Sequence, residues 1–216
     1  MKIAIVGTGE MASALGTLWA GIGHEVRFGS REPKRAEVLA RSIGLNAAGG
    51  SVAEAGAFSN TILLATPGSP PFVGPLIKTL GSLSGKILID CTNPLSDDFF
   101  SLTLGYTTSG AEEIAKLALG ARVVKAFNTI ASTVLASGNP KYGTQIATVF
   151  YCGDDHSAKT LVKGLIEDIG YEAIHAGPLR NARYLEPLAE LVIQLGIPLG
   201  MGTNVSFKLM QREGAD

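Results

Sequence analysis

"KIAIVGTGEMASALG", residues 2–16, decides the fold. Its first half is an apolar run that ends in Gly7. Such a run, closed by glycine, reads as a strand buried on both faces of a parallel sheet. Its second half opens a helix, with Met11, Leu15, Leu18 and Trp19 at helical spacing and Gly21 and Gly23 as the stop. Between the two, Gly7, Gly9 and Ala12 hold the spacing G-x-G-x-x-A. Gly7 permits a tight turn, Gly9 lets a pyrophosphate approach the backbone, and Ala12 lets the helix close on the strand. The amides of Thr8, Glu10 and Met11, at the start of the helix, face the phosphate charge. In this strand–turn–helix setting the motif predicts dinucleotide binding.

Outward from that unit, strands and helices alternate. "HEVRFGS" reads as a strand and "PKRAEVLARSIG" as a helix with Pro33 in its first turn. "NAAG" reads as a short strand, and Ser51 with Glu54 has the spacing of a capping box. "NTILLATP", "GKILIDCTNP", "ARVVKAFNTI", "TQIATVFYCGDD" and "YEAIHAG" read as further strands. Helices are expected at about 70–80, in "GAEEIAKLALG" and in "HSAKTLVKGLIEDIG". The pattern predicts an α/β fold, a doubly wound parallel sheet of the Rossmann NADP-binding kind, covered on both faces. Residues 1–178 read as that domain. Residues 179–216 read as a short C-terminal helical extension of the same compact unit, with a helix from about Asn181 to Gly196 and then "GIPLGMGTN" and "VSFKLM".

Composition narrows the partners. The net charge is -1, and no long run of one sign supplies an electrostatic footprint for nucleic acid or an acidic membrane. No apolar run reaches the roughly 18 residues of a membrane span, and the first residues enter a strand at once, which leaves no room for a signal peptide. Two cysteines, Cys91 and Cys152, make no disulfide framework and read as buried apolar fillers, so a cytoplasmic protein is expected. Only 17% of residues are charged, against about 25% in an average globular chain. Together with the apolar tail "EPLAELVIQLGIPLGMG", this predicts a homodimer that buries part of the extension.

"VRFGSREPKR", Val26 to Arg35, specifies the cofactor. The end of the second strand meets the adenosine ribose, where an Asp or Glu accepts the 2′-hydroxyl of NAD and repels a 2′-phosphate. Here Ser30 and Arg31 stand in that place. Arg31 can fork two donors onto a phosphate, Ser30 adds a third, and Arg35 lies one helical turn further on. The cofactor is therefore expected to be NADP(H).

Ligands on open parallel sheets lie outside the carboxyl ends of the strands. Three later strand ends then matter: Ala65, Thr66 and Pro67; Asn93, Pro94 and Leu95; and Ala126, Asn128, Thr129 and Ile130. They are polar or proline-shaped and are expected to line the nicotinamide ribose and ring. No pair of His, Asp, Glu or Cys stands there in an acid–base arrangement, and three scattered histidines lack metal-ligand spacing. His24 reads as structural, His156 lies at a helix start, and His175 is the only histidine placed where a substrate could approach it; none of the three is assigned a role in the site. A non-titrating site suits hydride exchange between two redox carriers, because each carrier takes or gives hydride at carbon. No catalytic side chain is assigned.

"KIAIVGTGEMASALG", "GHEVRFGSREPKR", "VVKAFNTI", "CGDD", "AGPL" and "GMGTNVSFKLM" together resemble the coenzyme F420-dependent NADP oxidoreductase family, in the family's order and over nearly the whole chain. The resemblance implies a hydride exchange between NADP(H) and the deazaflavin F420, in a homodimer. It implies NADP on Thr8, Gly9, Ser30, Arg31 and Arg35. It implies the deazaflavin near Asn93 to Leu95, Asn128 to Ile130 and the Met201–Gly202 turn. "VVKAFNTI" is also similar to the cytosolic domain of the STEAP metalloreductases, where a flavin takes the hydride, and Asn128 stands where the family pattern has a His. A flavin or ferric reductase is thus the alternative. "GTGEMASALG" further resembles the opening of pyrroline-carboxylate-reductase-like imine reductases, which need a long helical domain after the sheet. A non-catalytic NADP(H)-sensing protein would share the glycine loop but has no use for a polar second pocket.

Overall fold

The computed structural model describes residues 1–212, so the last four residues of the extension, 213–216, lie outside the described residues. The chain runs β1 (Lys2–Val6), α1 (Glu10–Gly21), β2 (Glu25–Ser30), α2 (Pro33–Ile43), β3 (Ala47–Ser51), α3 (Val52–Phe58), β4 (Thr61–Leu64), α4 (Pro70–Thr79) and β5 (Ile87–Asp90). It continues through α5 (Gly110–Leu117), β6 (Arg122–Ala126), α6 (Ser132–Ala136), β7 (Lys141–Tyr142), β8 (Gln145–Ile146), β9 (Thr148–Gly153), α7 (His156–Glu167), β10 (Glu172–His175) and α8 (Ala182–Gly196). Eight strands form one sheet in the order β10-β9-β6-β5-β4-β1-β2-β3.

The apolar runs become central strands because the sheet is covered twice. On one face Ile3, Ile5, Phe28, Leu63, Ile89 and Val124 pack against α1, α2, α6 and α7, with Trp19 fully buried among them. On the other, Ala4, Val6, Ile62, Leu64 and Leu88 pack against α3, α4, α5 and α8. Alternate residues of each strand serve opposite cores, which is why β1, β4 and β5 carry no polar alternation. Local signals hold as expected. Pro33 stands in the first turn of α2, and Ser51 caps α3 in a full capping box with Glu54.

Two strands depart from the all-parallel expectation. β9 runs antiparallel to β6, with Lys125 opposite Cys152, and β10 then lies parallel to β9. A parallel return needs a crossover that carries the chain back along the sheet. Between β6 and β9 the chain has only the five-residue α6 and the short β7–β8 hairpin, so it stays at the same end and re-enters from there. "TQIATVFYCGDD" is accordingly two strands, β8 and β9, and not one.

Candidate functional site: a groove and a second cavity at the strand ends

The turn after β1 is built by sterics. Gly7 has φ of +130°, and a Cβ there would lie 2.0 Å from the carbonyl oxygen of Ala65 on the neighbouring strand exit. No L-residue with a side chain fits. Gly9 is different: its φ is -81°, and a Cβ would meet no protein atom within 4 Å. The protein's own packing does not require glycine at this position, and the space above it stays open to a ligand. Gly9 is also the N-cap of α1 and makes no side-chain cap, so the opening amides of the helix point into that space.

A groove of about 500 Å³ follows from this turn. Of the residues expected to bind the cofactor, Gly7, Thr8, Gly9, Glu10, Met11, Ser30, Arg31, Arg35, Ala65, Thr66 and Pro67 all line it. Val52, Phe72, Leu76 and Cys91 line it too and were not anticipated. Ser30 Oγ accepts from the Glu32 amide at 3.1 Å, which leaves its own proton to donate. Arg31 lies over the ring of Phe72, 4.4 Å from the centroid. Arg35 lies 3.7 Å from Glu32 at an exposed i,i+3 spacing, a weak pair that a phosphate can displace.

A second cavity of about 220 Å³ adjoins the groove, and Met11 and Cys91 line both. Asn93, Asn128, Thr129 and Ile130 line it, as do Ala189, Val192, Ile193 and Gly196 of α8. Asn93 and Asn128 are clasped together. Asn128 Nδ2 donates to Asn93 Oδ1 at 3.0 Å and to the Leu185 carbonyl at 2.9 Å, while Asn93 Nδ2 donates to the Asn128 carbonyl at 3.1 Å. Donation to a carbonyl identifies the amide nitrogen of Asn128 and turns its Oδ1 the other way. That Oδ1 and the hydroxyl of Thr129 are buried with no protein partner. Buried polar atoms are rarely left so, and both belong to residues that line the second cavity. Phe127, between β6 and Asn128, has φ of +65° and is fully buried edge-on to Trp19. Its ring anchors the turn that brings Asn128 to the cavity lining.

The remaining expected residues lie elsewhere. Pro94, Leu95 and Ala126 line neither cavity; Ala126 is fully buried in the core, and Leu95 bridges to Leu102. Met201 is 62% exposed, and the Met201–Gly202 turn is bonded back to Leu195 and Gly196. From this end of the chain Thr203 and Val205 reach the cavity instead. They belong to a strap across the sheet end, held by the Thr133 hydroxyl on the Thr203 carbonyl, the Thr148 amide on the Phe207 carbonyl, and the Lys208–Glu172 ion pair at 2.6 Å. His175 lies on the edge strand beside Lys159 and lines neither cavity. His24 sits at the opposite end of β2, against the chain's amino group.

The structure also gathers charges that lie far apart in the sequence. Lys125, Asp90 and Glu186 are 0%, 0% and 1% exposed. Lys125 Nζ donates to Asp90 at 2.9 Å, to Glu186 at 2.8 Å and to the Thr92 carbonyl. Glu186 further accepts from the amides of Gly110 and Ala111 that open α5, and Asp90 accepts from the Thr92 amide. Burial lowers the lysine's pKa, but the two carboxylates together hold it above the ordinary value. All three groups are saturated by one another and by backbone, and none lines the groove or the second cavity. The triad fastens α8 to the ends of β5 and β6, so it fixes one wall of the second cavity. Burial pushes the Cys91 thiol up, and it donates to the Leu64 carbonyl. Among the described residues no cluster of His, Cys, Asp or Glu could hold a metal, and no helix is long and apolar enough to cross a membrane.

Known proteins resemble this chain over most of its length. The family described as "NADP oxidoreductase coenzyme F420-dependent" matches residues 2–94. An F420-dependent NADP reductase of Methanothermobacter marburgensis is 32% identical over 216 residues, covering 91% of this chain and 93% of that protein. The metalloreductase STEAP3 of Rattus norvegicus is 32% identical over 187 residues, 87% of this chain, but the match spans only 36% of that longer protein. A crystal structure from Arthrobacter sp. FB24, proposed as an F420-dependent NADP-reductase, superposes with a TM-score of 0.86 at 29% identity over 98% of this chain and all of that one. A reductive aminase of Aspergillus terreus shares the fold at 22% identity, with a TM-score of 0.65 over 62% of its length. Matching a reductase at this identity over nearly the full length of both chains, the protein is an NADP-dependent oxidoreductase and belongs to the coenzyme F420-dependent NADP oxidoreductase family.

Proposed function

We propose that this protein exchanges a hydride between NADP(H) and the deazaflavin F420, directly from ring to ring. The observation that carries the reading is the wall of Met11 and Cys91 common to both cavities, where a ring in the groove and a ring in the second cavity would meet. Gly9 and the opening amides of α1 hold the pyrophosphate, and Ser30, Arg31 and Arg35 hold the 2′-phosphate. Ala65, Thr66 and Pro67 support the nicotinamide ribose. Asn128 Oδ1 and the Thr129 hydroxyl accept and donate at the polar edge of the second ring. The aliphatic side chains of α8, Val205 and Ile130 keep water from the reacting carbons. Bound NADPH supplies the hydride from C4 of its nicotinamide; the protein's part is to hold two rings at about 3–3.5 Å.

The test is single-turnover transfer from C4-deuterated NADPH, followed at the absorbance band of the acceptor and by mass spectrometry of the reduced product. Deuterium in the reduced deazaflavin is the expected result, and its absence there sinks direct transfer. The metalloreductase relative and Asn128 favour a second reading, in which a flavin occupies the same cavity. FMN or FAD turning over faster than the deazaflavin in that assay would decide for it.

The domain reading carries into this proposal: residues 1–178 bind NADP(H), and the extension from 179 completes the second pocket. A homodimer fits the exposed side chains of Tyr184, Leu191, Ile197 and Leu199 on and after α8. Sedimentation as a 22.4 kDa monomer at micromolar concentration would exclude it. The two free thiols fit a reducing cytoplasm.

A further inference from the structure

Arg31 extends from the end of β2 over a ring supplied by a distant part of the chain. Phe72 stands on α4, half-buried, its amide bonded to the Ser69 carbonyl at 2.9 Å in a first turn that Pro70 and Pro71 stiffen. The guanidinium carbon lies 4.4 Å from the ring centroid, and both residues line the groove. Neither a hydrogen bond nor an ion pair holds Arg31 among the described residues, whereas its neighbour Arg35 leans on Glu32. A guanidinium stacks through its face but donates through its edge. The contact over the ring therefore restrains Arg31, and no protein acceptor occupies its donors among the described residues.

We infer that Phe72 is a specificity-determining residue for the cofactor, acting through Arg31. It holds the guanidinium edge toward the place of the 2′-phosphate before the cofactor arrives. A long exposed arginine with no such shelf loses rotamer freedom on binding. The inference rests on the NADP reading of the groove. Its rival is simpler: Phe72 as an apolar wall for adenine, beside Val52 and Leu76. The two differ in which part of the ligand responds. A wall serves every adenine nucleotide alike, while a shelf for Arg31 serves only those with a 2′-phosphate.

The experiment is calorimetric titration of the intact protein with 2′,5′-ADP and with 5′-AMP, which differ only by that phosphate. Phe72→Leu keeps an apolar side chain and removes the ring. It is expected to weaken 2′,5′-ADP by about 3- to 10-fold, the range of a partly exposed cation–π contact, and to leave 5′-AMP unchanged. Phe72→Tyr keeps the ring and is expected to bind both as the wild type does. In an Arg31→Ala background Phe72→Leu should change neither ligand, because the shelf has nothing left to hold. Parallel losses for the two ligands in Phe72→Leu, or the full loss persisting without Arg31, overturn the inference in favour of the wall. Thermal melts of each variant separate either result from misfolding, with Phe72→Tyr as the folded reference. A wild type that binds both ligands equally fails the NADP reading itself, and does so before any variant is made.

Discussion

Replacing Lys125 by Met removes the cation from a site where two carboxylates are fully buried. The side chains match in length, so the cavity stays filled and the change is electrostatic. Glu186 keeps the amides of Gly110 and Ala111, and Asp90 keeps that of Thr92, but the two negative charges then face each other without compensation. Breaking a buried ion pair from one side costs about 3–5 kcal/mol. For a domain of this size that corresponds to roughly 6–20 °C in Tm, at about 2–4 °C per kcal/mol. The assay is thermal unfolding at pH 8 followed by circular dichroism. The triple variant Lys125→Met, Asp90→Asn, Glu186→Gln should recover most of the loss, since it leaves no uncompensated charge. A single variant that melts within 2 °C of wild type at pH 8 would refute the reasoning and mean that the triad is not dry.

Arg31→Ala should weaken NADPH by about 10- to 100-fold, the range of one or two charge-assisted hydrogen bonds, and leave NADH unchanged; equal losses in kcat/KM for the two would refute it. Gly7 and Gly9 should part company. Gly7→Ala loses stability, because its Cβ would overlap the Ala65 carbonyl, whereas Gly9→Ala melts as the wild type does but loses NADPH affinity in a direct titration. Asn128→Ala should lower turnover by misplacing a ring and add no ionisation to the kcat profile; a pKa that disappears with the side chain would expose an acid or base among these residues. The Arg183 hydrogen bonds hold the Glu112 carboxyl below its usual range. The stabilisation is present above the unfolded carboxylate pKa and is lost as pH falls through the folded one, so the gap in Tm between wild type and Arg183→Gln should close in acid.

Near neighbours in the chain made much of this protein legible as a string of residues. The glycine turn, the apolar runs, the Ser51–Glu54 capping box and the Ser30–Arg31 pair each act within a few residues of themselves. Their geometry follows from local sterics and hydrogen bonding, which the order of residues carries. The strand-end loops were legible for a related reason: in a parallel sheet all such ends share one edge, so Ala65–Pro67, Asn93 and Asn128 converge without knowledge of the packing.

Tertiary structure decided the rest. "VVKAFNTI" shows a lysine inside an apolar strand, but not that Asp90 and Glu186, 35 and 61 residues away in the chain, meet it in the dark. Alternation along β5 and β6 was the available signal: Asp90 and Lys125 fall on the same face in register, and a charge on a covered face requires a partner. The proline-rich α4 gives no hint that Phe72 reaches Arg31, because that contact depends on how α4 and β2 lie across the sheet. The reversal of β9 came from a connection too poor in helix to cross the sheet, and only the packing of α8 shows that Ala189, Val192 and Ile193 turn inward to the second cavity. Sequence order states which residues are sticky, stiff or charged. Which of them meet across 30 to 150 positions is a property of close packing, where every long-range contact is set by all the others at once.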